Sequence, residues 1–172
     1  MRLEPFSEQY YDLLIGWVQS QEQKYLWSGP TYSFPLDRTQ IKAHCSKSEV
    51  NPFIVFNNSQ PIGFVELFQI TNSHYRICRV LIAEQYRGQG FSQLMLNLVI
   101  DKAVVEFGAW KLSLGVFERN RVAQNCYQKL GFKVKSVDRE SRVINGEVWA
   151  LATMEKSLIT KRLRQIPNAW RF

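Results

Sequence analysis

Val80-Leu81-Ile82-Ala83-Glu84-Gln85-Tyr86-Arg87-Gly88-Gln89-Gly90, residues 80–90, is the stretch whose reading decides the fold. It passes from apolar β-formers into a polar segment carrying two glycines. From Gly90 onward Phe91, Leu94, Met95, Leu98 and Val105 recur at helical spacing, and Gly108 is a suitable C-terminal cap. A strand, a short loop and a helix of about four turns are expected in that order. The glycines let successive backbone N–H groups turn toward one point at the helix N-terminus, where an anion is stabilised. Arg87 adds a full charge there, which suits a pyrophosphate better than a single carboxylate.

Other phosphate loops fit these residues poorly. A Walker-type loop needs Gly-Lys-Ser/Thr at the helix start, but Phe91 and Ser92 follow Gly90, so nucleotide hydrolysis is disfavoured. A dinucleotide fingerprint wants a small residue where Gln93 stands and an acidic residue about 20 positions on, where Trp110 to Leu114 offers none.

Working downstream, Lys111 to Phe117 alternates Leu112, Leu114 and Val116 and reads as a strand, so a parallel crossover is expected between residues 77 and 117. Asn120 is a candidate cap for a helix with the stripe Val122, Ala123, Cys126, Tyr127 and Leu130, closed by Gly131. Phe132 to Val137 and Glu147 to Met154 read as strands around Asn145-Gly146. Upstream, Phe53–Phe56, Ile62–Ile70 and Tyr75–Ile82 form an expected antiparallel meander. Before it come a short strand over Leu3–Phe6, an amphipathic helix with Tyr10, Leu13, Leu14, Trp17 and Val18, an aromatic-rich loop over residues 22–36, and a helix capped by Asp37.

With 172 residues and 45% hydrophobic side chains, the chain can bury a sizeable core as one soluble domain. Residues 1–154 are assigned to that domain and 155–172 to a basic extension. Neither a signal peptide nor a run approaching the roughly 20 apolar residues of a membrane span is legible, so a cytoplasmic protein without a membrane partner is expected. Cys45, Cys78 and Cys126 are spaced like neither a zinc set nor a disulfide framework, and they read as reduced, mostly buried thiols. No metal is expected. Residues 155–172 carry a net +4 of the total +7. Charge of that sign favours anionic partners, yet the tail and Trp170 match no recognised nucleic-acid motif, so nucleic acid is not the expected partner.

The segment 80–90 resembles motif A of the GCN5-related N-acetyltransferases (GNAT), whose loop reads Gln/Arg-x-x-Gly-x-Gly/Ala. Asn120-x-x-Ala123-x-x-x-Tyr127-x-x-x-Gly131-Phe132 looks like that family's motif B. The resemblance in element order runs from about residue 3 to residue 154. It implies an α/β fold with a mixed, splayed central sheet, helices on both faces, and acetyl-coenzyme A (acetyl-CoA) as the acetyl donor. By the same likeness the pyrophosphate sits on backbone amides of Gln85, Arg87, Gly88, Gln89, Gly90 and Phe91, the backbone of Val80, Leu81 and Ile82 pairs with pantetheine, and Asn120 contacts the pantetheine arm. The Leu81 amide is the implied oxyanion donor.

Direct acetyl transfer to a primary amine needs a neutral nucleophile, oxyanion stabilisation and a proton for the departing thiolate. Tyr127, whose phenol stays protonated at neutral pH, is the candidate acid, as in the resembling family; its alternative is a core tyrosine of the helical stripe. Glu66, by alternation on one strand face with Ile62, Phe64 and Phe68, is the candidate base, against a salt-bridged or solvent-facing alternative. Glu118 is the reserve, and His74 reads as a turn residue. Trp27, Tyr25 and Tyr32 lie where the family walls the acceptor site, so Trp27 and Tyr32 are assigned to substrate binding by cation–π contact, with core packing as the alternative. Glu22 and Asp37 could complement a cation. The Trp27 region and motif B look most like enzymes acting on ribosomal-protein N-termini or aminoglycosides, while the positive charge speaks against a polyamine. The oligomeric state stays open, a homodimer included. The competing function is an acetyl-CoA-binding sensor or interaction protein without efficient transfer.

Overall fold

The computed structural model describes residues 1–144 and 146–158. The chain packs as two compact units, Met1–Gln69 with Ile77–Val99, and Ile70–Arg76 with the described residues from Ile100 on.

In the first unit β1 (Arg2–Pro5) pairs antiparallel with β2 (Val50–Asn57), and β2 with β3 (Gln60–Gln69). Asn58, at φ +53°, makes the tight connection between β2 and β3, a conformation asparagine tolerates better than most residues. β4 (His74–Ile82) follows β3 in the sheet, and beyond its end Ala83 N–H donates to the Ile62 carbonyl at 2.9 Å. Helices α1 (Tyr11–Trp17), α2 (Gln21–Ser28) and α3 (Arg38–Cys45) complete the layer. Leu14, Val18, Tyr32, Leu36, Ile41, Ile54, Phe64 and Leu81 form its core. Burial of each such aliphatic or aromatic side chain contributes about 1.5–3 kcal/mol before chain entropy is charged against it.

Helix α2 corrects the expectation of a loop over residues 22–36. The Ser20 hydroxyl accepts from Gln23 N–H at 3.1 Å and caps the helix, so Ser20-x-x-Gln23 was a start signal that the following Gly29-Pro30 obscured. Asp37 caps α3 as expected, Oδ1 accepting from Gln40 N–H at 2.8 Å.

The second unit contains β5 (Lys111–Phe117), α5 (Arg121–Lys129), β6 (Lys133–Ile144) and β7 (Glu147–Ser157). β7 pairs antiparallel with both neighbours, so Met154 stands opposite Leu114 on one side and Val134 on the other. Both final strands outrun their expected ends: β6 passes Val137 because it stays paired with β7 as far as Ile144 opposite Glu147, and β7 passes Met154 because β5 pairs with it on to Lys156 and Ser157. The sheet therefore continues past the expected domain limit at residue 154. Asn145 and residues 159–172, with most of the basic tail and Trp170, lie outside the described residues; Gly146 sits at φ +81°, as a tight turn requires.

Helix α4 (Phe91–Val105) and β4 each divide between the two units, and the strand order is β1-β2-β3-β4-β5-β7-β6. The class is α/β with a central sheet flanked by helices. No helix among the described residues is long and apolar enough to cross a membrane.

Candidate active site

The end of β4 and the start of α4 carry the loop singled out in the sequence. A short 3-10 turn over Glu84–Tyr86 leads out of the strand, and Gly88 and Gly90 adopt φ +75° and +79°. A Cβ at either glycine would meet no atom within 4 Å, so the requirement for glycine is conformational and not a matter of space. These turns bring the chain to the N-terminus of α4, where the first helical amides have no intrahelical acceptor and the helix presents its positive end. Arg87 Nε donates to the Ile82 carbonyl at 3.0 Å, and Gln89 Nε2 donates to the Gln85 carbonyl at 3.1 Å. The side chains tie the loop to itself, and the Arg87 N–H, expected on the pyrophosphate, instead donates to the Glu84 carbonyl at 3.1 Å and closes the 3-10 turn.

β3 grips the same strand end. A Cβ on Gly63 would come 2.5 Å from the Leu81 carbonyl oxygen and 2.9 Å from Ile82 Cδ1, so only glycine permits this approach. A lone glycine inside a strand is the sequence signal for such an approach, and sequence reasoning passed it over.

Glu66 lies in β3 with no solvent exposure. Its Oε2 is 3.2 Å from Arg79 Nε and 3.1 Å from His44 Nε2, while Oε1 has no hydrogen-bond partner. The expectation of a carboxylate among apolar neighbours is corrected: both faces of β3 are buried, and on the Glu66 side an arginine and a histidine meet it. The Arg79 and His44 partners were missed. They stand on β4 and α3, far along the chain from Glu66, and no local pattern marks such a meeting.

Trp27 and Tyr32, assigned to the acceptor, are both packed; Trp27 is hydrogen-bonded, whereas the buried Tyr32 hydroxyl has no hydrogen-bond partner among the described residues. The Trp27 indole N–H donates to the Arg79 carbonyl at 2.8 Å, and its ring stacks on Tyr32 with centroids 5.5 Å apart. Tyr32 is buried in the core, and burial first, then the nearby Glu66 carboxylate, pushes its phenol well above the ordinary tyrosine value. Asp37, offered as a cation partner, is occupied: Oδ1 takes the Gln40 amide and Oδ2 the Gln40 side chain, and the first of these bonds chiefly lowers its pKa.

In the second unit Asn120 begins α5, with Oδ1 accepting from Ala123 N–H at 3.1 Å. Gln124 Nε2 donates to the Phe117 and Glu118 carbonyls, which fastens the helix to the end of β5. Tyr127 is on the buried face, edge-on to Phe132 at 6.2 Å, and Gly131 at φ +86° closes the helix. Glu118 is part-exposed and lies 3.9 Å from Arg139. His74 is the first residue of β4 and not a turn residue; its Nε2 is 2.8 Å from Ser113 Oγ, and burial, then Lys111, depresses its pKa. Of the assigned residues, Trp27, Tyr32, Glu66, the Val80–Ile82 strand and the loop through Phe91 belong to the first unit, and Asn120 and Tyr127 to the second.

The acetyltransferase (GNAT) family model matches residues 14–132, which contain β4, the glycine loop, α4, β5 and α5. The chain belongs to the GNAT family. Membership places it among the acyltransferases and gives the loop at Gly88 and Gly90 and the helix of Asn120 and Tyr127 a common context. Among curated proteins, the uncharacterized N-acetyltransferase YdgE of Bacillus subtilis (strain 168) is 39% identical over 54 residues, 31% of this chain. The match spans about a third of that relative's length, 34%. Solved structures with the same fold include the spermidine N-acetyltransferase of Vibrio cholerae in complex with CoA and spermine, with TM-score 0.81 at 19% identity, covering 94% of this chain and 97% of that one. A dodecameric structure of spermidine N-acetyltransferase from the same organism has TM-score 0.77 at 21% identity, covering 95% of this chain and 97% of the other.

Proposed function

We propose that this protein transfers the acetyl group of acetyl-CoA directly to a primary amine of a small molecule. The observation that carries the reading is the loop from Gln85 to Phe91, with left-handed glycines at positions 88 and 90 opening the 15-residue helix α4 straight from β4. Backbone amides of Gln85 and of Gly88 to Phe91 take the pyrophosphate, the Val80–Ile82 backbone pairs with the pantetheine, and Asn120, its Oδ1 committed to the helix cap, offers its amide NH2 to the arm.

In the reaction the neutral amine attacks the thioester carbonyl, a C–N bond forms, and the oxyanion is held by the Leu81 amide. Collapse breaks the C–S bond and the thiolate takes a proton from Tyr127, whose place on the buried face of α5 keeps the phenol out of bulk water. The surplus proton of the new amide leaves to water, from which the Tyr127 phenolate is reprotonated. Glu66 suits a positioning role better than that of a base, since none of its surface is exposed and Arg79 already neutralises it.

For the acceptor we place polyamine-type small molecules ahead of protein N-termini and aminoglycosides. Support comes from the structural neighbours named for spermidine. The positive charge counted against such substrates is a weaker objection once localised, because residues 155–172 hold +4 of the +7. One of these neighbours is a dodecamer and not the homodimer raised above, so we also propose assembly beyond a dimer.

The test is acetyl-CoA titration of the wild type and Gly90→Ala, with CoA release measured against spermidine, spermine, aminoglycosides and N-terminal peptides. Release with polyamines is expected. The left-handed conformation costs alanine about 1–2 kcal/mol, so the variant should bind acetyl-CoA roughly tenfold more weakly. Tight binding with no release on any amine assigns the sensor role instead, and no acetyl-CoA binding overturns the proposal.

A further inference from the structure

Arg79 occupies a left-handed conformation, φ +50°, within β4 and one residue before the Val80–Ile82 segment. For a side chain with a Cβ this conformation is unfavourable and persists only where surrounding contacts over-determine it. The guanidinium is buried, with Nε 3.2 Å from Glu66 Oε2 and Nη2 2.9 Å from His44 Nε2. The Arg79 carbonyl receives the Trp27 indole N–H at 2.8 Å, and the guanidinium lies 5.9 Å over the Tyr32 ring. Tyr32 in turn packs edge-on against His44 at 5.2 Å.

A ring nitrogen holds either a proton or a lone pair, and beside a permanently protonated guanidinium His44 Nε2 serves as acceptor. One chain thus runs from imidazole through guanidinium to carboxylate, with α2, α3 and β3 each contributing a group that holds Arg79. A buried ion pair is a poor source of net stability, because apolar residues of similar volume fill the space as well or better. What apolar residues cannot do is hold one backbone residue in an unfavourable conformation by an ion pair and a hydrogen bond on its guanidinium together with a hydrogen bond to its carbonyl.

We infer that Glu66, His44 and Trp27 act through Arg79 as positioning residues that set the backbone of Val80–Ile82 for the acetyl thioester. The inference rests on the acetyl-transfer reading for its catalytic consequence, but its structural half does not. With the directional bonds gone, Arg79 relaxes toward ordinary strand geometry and the Leu81 amide is displaced from the carbonyl oxygen it serves. The acceptor still binds, and because the same backbone pairs with the pantetheine the loss falls on turnover and on the KM for acetyl-CoA.

The experiment uses the full chain with the paired substitution Arg79→Met and Glu66→Gln, which removes both charges at similar volume and so preserves the fold. Thermal melting serves as the check on folding. Arg79→Lys and Glu66→Gln are made singly for the case in which the pair fails to fold. Amide hydrogen exchange at Val80, Leu81, Ile82 and Ala83 and the separate kcat and KM for CoA release are then read. Faster exchange confined to those amides is expected, with kcat reduced about tenfold or more, the KM for acetyl-CoA raised and the KM for the acceptor changed little. Arg79→Lys, which keeps the charge but not the fork, should recover only part of the loss. Wild-type exchange at those amides, or wild-type kcat in a folded variant, overturns the positioning role. If wild-type protein itself releases no CoA, the acetyl-transfer reading falls and the exchange rates alone decide whether the cluster sets this backbone.

Discussion

Replacing Gly63 by alanine asks whether the close approach of β3 to β4 governs both folding and turnover. The added Cβ would sit 2.5 Å from the Leu81 carbonyl oxygen, where an unstrained C···O contact is about 3.3 Å or longer, so the strands must separate by about 0.8 Å. The atom in the way is backbone and cannot rotate aside, whereas Ile82 Cδ1, at 2.9 Å, can. Forcing one methyl into a packed interior costs about 1–3 kcal/mol, against about 0.4–1 kcal/mol returned by the stiffer unfolded chain. Overpacking wins, and a net loss of about 1–2 kcal/mol lowers Tm by roughly 2–8 °C in a chain of this size. The displaced Leu81–Ile82 peptide adjoins the proposed oxyanion donor, the Leu81 N–H on the preceding peptide, so a shift near 1 Å passed along the strand should reduce kcat about 100-fold. The control is Gly16→Ala in α1, where a Cβ meets nothing within 4 Å and φ is ordinary, so stability should rise by about 0.5–1 kcal/mol. Melting curves and CoA-release kinetics on both variants provide the measurement. A Gly63→Ala protein with wild-type Tm and kcat would refute the argument.

Three further outcomes follow from named groups. Tyr127→Phe should keep acetyl-CoA affinity while kcat falls by about 100-fold or more, and equal turnover across the pH range would remove Tyr127 as the acid. Asp37 has its pKa lowered chiefly by the Gln40 amide, so its contribution to stability is complete above the unfolded value of about 3.9 and is lost as pH falls through the lower folded value. Urea midpoints of wild type and Asp37→Ala should therefore differ at neutral pH and converge in acid; a constant gap would contradict the cap. Burial first, then the Glu66 carboxylate, pushes the Cys45 thiol up to about 12, so at pH 8 roughly one molecule in ten thousand holds the thiolate. Iodoacetamide at pH 8 should label Cys45 only after unfolding, and rapid native labelling followed by peptide mapping would show the assignment to be mistaken.

Much of the site could be read along the chain because its signals are local. The glycines at 88 and 90 announce left-handed turns, the periodicity beyond Phe91 announces a helix, and Asn120 announces a cap; each concerns residues within one turn of one another. The α/β class followed from those signals and from the resemblance they carry. Helix α2 was the local feature misread, since aromatic residues and Gly29-Pro30 outweighed the Ser20-x-x-Gln23 cap.

What the sequence by itself determined is thus a strand, a glycine loop and a helix N-terminus whose geometry follows from backbone sterics at fixed positions. Only the tertiary structure decided that Glu66 meets Arg79 and His44, that Tyr32 is core, that Trp27 bonds a strand carbonyl, and that Gly63 admits Leu81. Those partners lie between 13 and 52 residues apart in sequence, and which of them meet depends on how helices and strands stack around a common core. Side-chain period alone cannot carry that information, because it records which face a residue is on and not what the facing element brings to it.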